Sequence, residues 1–391
     1  MKNTYEHITF ALAWEKNEAI ANLLGQCYAY IQAIVKTPIR PDYWQELLSL
    51  ALNKGAQATT AIEGNTLSDD EIRAIQGGKK LPPSKGYLQK EVENILAAFN
   101  TIKDELIKDH IYPLISPDLI KRFHAMVGKD IGEAFNASPG CFRRNNVTVG
   151  QYRPPSFERV EGLVKKLCAW LEQQFHYSAG QNFDETVIQA IVTHIYIAWI
   201  HPFGDSNGRT ARLLEFYLLL RAGVPIIASH ILSNHYNETR NEYYRQLQQT
   251  VETRDLTPFI NYALVGFRDG LEGVLGIIHD SQIEMTWRNY VHDRIGESGE
   301  EQNKSEKILR RIRQLAYYIP SDKYYSLSEI RIIHPNIIRE YKQLSGLTLS
   351  RDIALIQKLD LIVEQKRKYR TNKEILKTFI APATTDIRRS H

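Results

Sequence analysis

Along most of this chain apolar residues recur at the three- and four-residue spacing of a helix, and seldom at the two-residue alternation of a strand. Between Tyr43 and Ile62 they fall at Trp44, Leu47, Leu48, Ala51 and Leu52, and Gly64-Asn65 supplies a stop. A second helical run covers Glu91 to Ile107, and Pro113, Pro117 and the Ala137-Ser138-Pro139-Gly140 turn separate further helical segments. Helices are also predicted over Phe157 to Phe175 and over Asp184 to Trp199, the latter through Val187, Ile188, Ile191, Val192, Ile195 and Trp199. Before residue 300 the alternating pattern occurs at Arg144 to Tyr152, where Val147 and Val149 stand between polar neighbours and Gly150 permits a bend. A short hairpin is predicted there. No internal repeat is visible.

The pattern changes near residue 296. Residues 296–307, GESGEEQNKSEK, carry no apolar side chain and read as a linker or an exposed helix end before a separate domain. Beyond it a helix over Ile308 to Leu315 and another over Pro335 to Leu344 are predicted, then a third capped by Ser350 and containing Ile353, Ile356 and Leu359. A strand begins at Leu361 to Val363 and leads to a basic turn. This order resembles a winged helix-turn-helix over residues 308–380, with a tail over residues 381–391.

Charge sharpens that division. The formal total is only +4, yet residues 301–391 hold 19 Lys/Arg and 10 Asp/Glu, a net of +9, which leaves −5 for the rest. Lys366 to Arg370 alone has four basic residues in five, suited to phosphate contacts. The expected partner at this end is DNA or another protein. The third helix is expected to expose Asp352 beside Arg351, with Gln357 and Lys358, a thin set for reading bases.

Composition adds limits. With 391 residues, 43% hydrophobic and 24% charged, the chain reads as globular and of more than one domain. Cys27, Cys141 and Cys168 are too scattered for a metal knuckle or redox pair and suit free thiols, so the cytoplasm is the expected compartment. The start shows no secretory pattern, and the most apolar stretch, Val187 to Ile200, is too short and too polar for a membrane span.

The chemistry concentrates in His201 to Arg212, HPFGDSNGRTAR, a polar loop between two helical patterns. A helix starting near Ser206 or Asn207 would point the unpaired N–H groups of Ser206, Asn207, Gly208 and Arg209 outward at its positive end, an anion site. Arg209 and Arg212, three apart, add two fork-shaped cations on one face. Asp205 is placed to hold Mg²⁺ bridging phosphates. His201, with an unperturbed pKa of about 6.5, can take a proton from an attacking hydroxyl. Together these groups suit phosphoryl or nucleotidyl transfer.

This segment resembles the signature of Fic family proteins, HPFx[D/E]GNGRxxR, with Ser206 in place of one glycine. The resemblance takes in the hairpin and TRNEYYRQL from Thr239 to Leu247, about residues 40 to 270. It implies a mainly α fold, a Fic helical core with a short β-hairpin flap, that transfers AMP from ATP to a Ser, Thr or Tyr hydroxyl of a protein, the chain itself included. It assigns His201 as base, Asp205 as Mg²⁺ ligand, Asn207, Gly208 and Arg209 as contacts to the α- and β-phosphates, and Arg212 to the γ-phosphate. Tyr243 and Tyr244 would flank adenine, and Val147, Thr148, Val149 and Gly150 would align the target by strand pairing. Ser206 keeps its backbone N–H, but its Cβ resists a positive φ.

Earlier in the chain, TTAIEGN places Thr59 and Glu63 four apart on one helical face. Glu63 would lie in the last turn, where the helix dipole disfavours a carboxylate, so it needs a cation. The segment resembles the family's inhibitory helix, whose glutamate pairs with the last arginine of the signature, here Arg212. The resulting division is an N-terminal helical region over 1–115 with an inhibitory helix near 43–63, a catalytic core with trailing helices over 116–295, the 296–307 linker, the winged-helix region and the tail. A homodimer and the reverse reaction are both compatible with it.

Two rivals are open on the same residues. GDSNG, Gly204 to Gly208, also fits the nucleophile elbow of α/β-hydrolases with Ser206 as nucleophile, but that elbow needs a strand where Val187 to Trp199 has helical spacing. The winged-helix region supports a DNA-binding regulator in which the Fic core is a sensor or relic. His194, mid-helix among apolar neighbours, reads as a satisfied core histidine.

Overall fold

The computed structural model describes residues 5–12, 14, 17–133, 135–176, 183–301 and 303–377, so the 381–391 tail and the last residues of the 308–380 region lie outside the described residues. The chain divides into two compact units, 1–276 and 277–391.

In the first unit the described helices are α1 (Glu18–Lys36), α2 (Pro41–Ala61), α3 (Asp69–Gln76), α4 (Gly86–Ile107), α5 (Pro117–Val127), α6 (Phe157–Gln174), α7 (Phe183–Ile200), α8 (Asn207–Arg221), α9 (Ile231–Glu238), α10 (Arg240–Thr253) and the first part of α11 (Thr257–Glu301). Local chemistry sets many of the ends. Asn17 caps α1, Ser68 and Glu71 form a capping box at α3, and Ser116 caps α5, whose first residue is Pro117. Gly64, at φ +100°, turns the chain after α2.

α7 and α8 form the centre. Both are buried on nearly every side, from Thr186 to Ile197 in α7 and from Arg209 to Leu220 in α8, as helices apolar all round must be. α4 and α5 close one side, with Phe99 against Phe216 at 4.4 Å and Phe123 edge-on to Tyr217 at 5.5 Å. Phe259, Ile260, Leu264 and Phe267 of α11 are also fully buried. The only sequence between α7 and α8 is the polar loop 201–206, so the buried helix pair fixes it at both ends. The segment before it departs from expectation: residues 144–152 form no strands. Val149 and Tyr152 exchange a reciprocal pair of 2.9 Å backbone bonds around a turn with Gly150 at φ +56°, and the ladder goes no further.

The second unit has its own core. Trp287, Val291 and Ile295 of α11 pack with residues of α12 (Glu306–Tyr318), α13 (Leu327–Ile330), α14 (Pro335–Tyr341), α15 (Gly346–Lys358) and β1 (Ile362–Gln365). β1 pairs with β2 (Lys368–Thr371) in antiparallel register, Ile362 opposite Thr371 and Gln365 opposite Lys368. Lys366 and Arg367, at φ +51° and +60°, make the two-residue turn whose twist matches the strands. Tyr325 adds a single bridge to Tyr369.

Three expectations change here. Residues 296–301 are the end of α11, a 45-residue helix, because glutamates continue a helix without apolar partners; among the described residues 303–305 lie outside a helix before α12, and the unit boundary falls earlier, within α11. α15 starts at Gly346 with Ser345 as its cap, whereas Ser350 lies inside the helix and donates to Gly346 O at 3.1 Å. Asp352 is buried: Arg311 binds it through Nε at 2.8 Å and Nη2 at 3.2 Å, and Tyr341 donates its hydroxyl at 2.8 Å.

That buried pair generates a test. Asp352→Ala strands the Arg311 guanidinium, and the unfolding of the C-terminal unit in urea should lose about 3 kcal/mol, the usual scale for breaking one side of a buried ion pair. A loss under about 0.5 kcal/mol would place the pair among ordinary surface contacts.

Candidate active site

The loop between α7 and α8 holds its shape through bonds within itself. Asn207 donates from Nδ2 to Phe203 O and accepts at Oδ1 from Phe203 N, both at 2.9 Å, which closes the loop on the start of α8. His124 of α5 lies flat on Phe203, ring centres 3.7 Å apart, with Nε2 3.2 Å from Asp205 O and Nδ1 accepting from Gly140 N at 2.9 Å. Burial pushes the His124 imidazole down to about 4, so it stays neutral in this role.

Ser206 is the N-cap of α8 at φ +58°, the left-handed region. A side chain there costs about 1–2 kcal/mol. Asp205 Oδ1 accepts from Ser206 N and lies 3.4 Å from its hydroxyl, offsetting part of that cost. The N–H groups of Asn207, Gly208 and Arg209 precede Thr210, the first residue whose N–H bonds back to Ser206 O, and form the positive end of the helix.

Both arginines turn toward it. Arg212 is fully buried and donates from Nη2 to Glu63 Oε1 at 2.6 Å and to Thr59 O at 2.9 Å, while its Nε and Nη1 have no hydrogen-bond partner. Arg209 pairs with Glu91 of α4 and, at 3.2 Å, with Asp205, and its Nε has no partner. Glu91 also accepts from Asn65 Nδ2 at 3.0 Å, which ties the turn after α2 to the same cluster. Buried donors without acceptors beside a helix N-terminus are suited to an anion of several oxygens.

Glu63 sits just beyond α2, in the turn after Ile62, and its N–H reaches Thr60 O at 3.1 Å. A Cβ added to Gly208 would lie 2.2 Å from Glu63 Oε1 and 3.0 Å from Arg212 Nη1, so the carboxylate rests on the first turn of α8 and a larger residue there would push it aside. Burial pushes the Glu63 carboxyl up, but the charge and hydrogen bond of Arg212, with Arg209 nearby, bring it below its ordinary value. It is therefore an anion at neutral pH. The part of Thr59 that takes part is its carbonyl; its hydroxyl is buried without a partner.

His201 follows α7 directly, with φ +50° and its N–H bound to Ile197 O at 2.9 Å. Burial, partly countered by a hydrogen bond with the Ala198 backbone, takes its imidazole down to about 4. At neutral pH it holds a free lone pair.

The two tyrosines differ. Tyr243 is buried, its hydroxyl 2.8 Å from His194 Nε2 and its ring 4.9 Å from that of Tyr236, so it is part of the core. Tyr244 is 45% exposed and donates to Ile62 O at 3.3 Å, next to Glu63. His194 is a core histidine as expected, buried among aromatic rings, but only Nε2 is hydrogen-bonded: Nδ1 lies 3.0 Å from Glu215 Oε2 without completing a hydrogen bond. The hydrolase elbow is excluded, because the element before Ser206 is the helix α7. Glu91, Asn65, His124 and Arg143 carry no role that the sequence alone reveals. Glu91 alone had a signal, a carboxylate beside Val92 and Ile95 on an apolar helical stripe.

Residues 114–219, which contain this loop, match the Fic/DOC family model. The chain is 32% identical over 225 residues to protein adenylyltransferase fic-1 of Caenorhabditis elegans, covering 57% of this chain and 41% of that one. It is 32% identical over 229 residues to protein adenylyltransferase Fic of Nematostella vectensis, covering 58% and 48%. It thus spans less than half the length of these relatives. Among solved structures, Fic-1 of C. elegans aligns at TM-score 0.51 and 26% identity over 68% of this chain and 73% of that one. A Fic family protein from Desulfovibrio desulfuricans G20 aligns at TM-score 0.54 over 92% and 98%, at 18% identity, a likeness of fold.

The low proton affinity of His201 has a measurable sign. Its folded pKa lies below the unfolded value of about 6.5, so the neutral ring contributes stability present above that pH and lost as pH falls toward 4. The His201 ring carbon shifts in an NMR titration should be flat from pH 8 to about 5. A midpoint near 6.5 would show a solvated imidazole.

Proposed function

We propose that the chain is a protein adenylyltransferase that moves AMP from ATP to a Ser, Thr or Tyr hydroxyl, and that Glu63 holds it inhibited. The observation carrying this reading is the convergence on one helix N-terminus of a neutral histidine, two buried arginines with unpaired donors, and a carboxylate in the place of an anion. The match of residues 114–219 to the Fic/DOC family and the adenylyltransferase names of the relatives support it.

In the proposed reaction His201 takes the proton of the acceptor hydroxyl, the oxygen bonds to the α-phosphorus, and the bond to pyrophosphate breaks. The N–H groups of Asn207, Gly208 and Arg209 and the two guanidinium groups take up the phosphate charge. Arg212 can serve the γ-phosphate only when Glu63 withdraws. For Mg²⁺, the chain offers Asp205, whose Oδ2 has only a 3.4 Å bond from Asn136 N and is partly exposed. An ion there would take the rest of its shell from phosphates and water. Bound there, Mg²⁺ would neutralise phosphate charge. Tyr244 is the better placed of the two tyrosines for adenine, since it is exposed beside Ile62. The turn at Val147 to Gly150, with Val149 41% exposed, is assigned to target alignment.

The C-terminal unit is proposed as a winged-helix contact module, supported by the helices α12 to α15 followed by a hairpin with a Lys366-Arg367 turn. No described helix is long and apolar enough to cross a membrane.

His201→Ala should lower transfer by at least about 10²-fold, the scale of lost general-base catalysis, and leave ATP affinity unchanged. Equal turnover in the variant would remove His201 from the reaction. Asp205→Ala should abolish the rise of activity with Mg²⁺, and a normal Mg²⁺ response in that variant would place the ligand elsewhere.

A further inference from the structure

The last carbonyls of a helix have no partner inside it. One of them at the end of α7, and the two loop carbonyls that follow, are taken by the segment that carries the Val149/Tyr152 turn. Tyr152 donates its hydroxyl to Trp199 O at 2.6 Å, Arg143 N reaches Pro202 O at 3.0 Å, and Arg143 Nε reaches His201 O at 2.8 Å. The rest of the guanidinium binds the segment itself, with Nη1 on Asn145 O at 2.9 Å and Nη2 on Pro155 O. One planar side chain, 6% exposed, therefore bonds to carbonyls before the turn, after the turn and on the histidine.

We infer that Arg143 is a positioning residue that fixes His201 against the turn at Val147–Tyr152, so that a hydroxyl presented along the turn meets the imidazole in reach. The inference rests on the reading of His201 as base. A guanidinium holds its donors in a rigid fork, so bonds from Nε, Nη1 and Nη2 to three carbonyls define one orientation of loop and histidine. The fork also places positive charge at the negative end of α7. His201 sits at φ +50°, where its backbone needs such outside support, and the bond to its carbonyl supplies it. These bonds of Arg143 all end on the acceptor side of the site, whereas Asp205, Arg209 and Arg212 belong to the phosphate side.

The two sides can be separated by experiment. Arg143→Lys keeps a cation of similar reach and loses the fork. In a Glu63→Gly background, calorimetry should show MgATP affinity within about twofold of the background while kcat for transfer falls about 10²-fold, the scale of an ångström of misplacement. His201→Ala in the same background is the reference. Unchanged transfer in His201→Ala would overturn the base assignment itself. Lost transfer in His201→Ala beside undiminished kcat in Arg143→Lys would overturn the role of Arg143 alone. Loss of MgATP binding in Arg143→Lys would overturn it too, because Arg143 would then support the fold or the phosphate side.

Discussion

The carboxylate of Glu63 on the first turn of α8 is the contact around which the site is organised. A helix start with two buried arginines is strongly positive, and in the resting chain Glu63 answers that charge through Arg212 at 2.6 Å. The same donors are those a triphosphate would use. On the proposed reading inhibition needs no separate lid, only competition between two anions for one guanidinium, where each 1.4 kcal/mol of bias would change the competent population about tenfold. Gly208 permits the arrangement, since a Cβ there would displace the Glu63 carboxylate and crowd Arg212.

Keeping such a site in place requires a stiff frame. α7 and α8 are buried on nearly every side, and the six residues between them are pinned by Asn207 on Phe203, by His124 on Asp205 and by Arg143 on His201. Two non-glycine residues, His201 and Ser206, hold left-handed backbone in this loop. Their conformational cost is offset by the hydrogen bonds that turn their neighbours toward the helix start. Ser206 shows that the loop accepts a serine in the left-handed conformation that glycine adopts most readily, with Asp205 bonded to its backbone.

Much of this was legible in the chain. The period of the apolar residues gave α2, α4, α6 and α7, and the change from apolar helix to polar loop at His201 placed the start of α8 within a residue. Glu63 and Arg212, 149 positions apart, were linked only through family resemblance, and the structure brings them together. Features that depend on tertiary partners were not legible. Val147 and Val149 alternate like a strand, but the backbone around them is bound by Arg143, so one pair forms in place of a ladder. Tyr243 and Tyr244 are adjacent and chemically alike, and only packing against His194 and Tyr236 buries one and leaves the other exposed. Asp352 reads as a surface charge until Arg311 and Tyr341, 41 and 11 positions away, are folded against it.

Intact mass after incubation with ATP and Mg²⁺, compared between the wild-type chain and Glu63→Gly, tests the central claim most directly. The account predicts additions of AMP on the variant, well above the wild-type level and absent when His201 is also changed to Ala. A folded Glu63→Gly chain that gains no more AMP than wild type, on itself or on any offered protein, would contradict it.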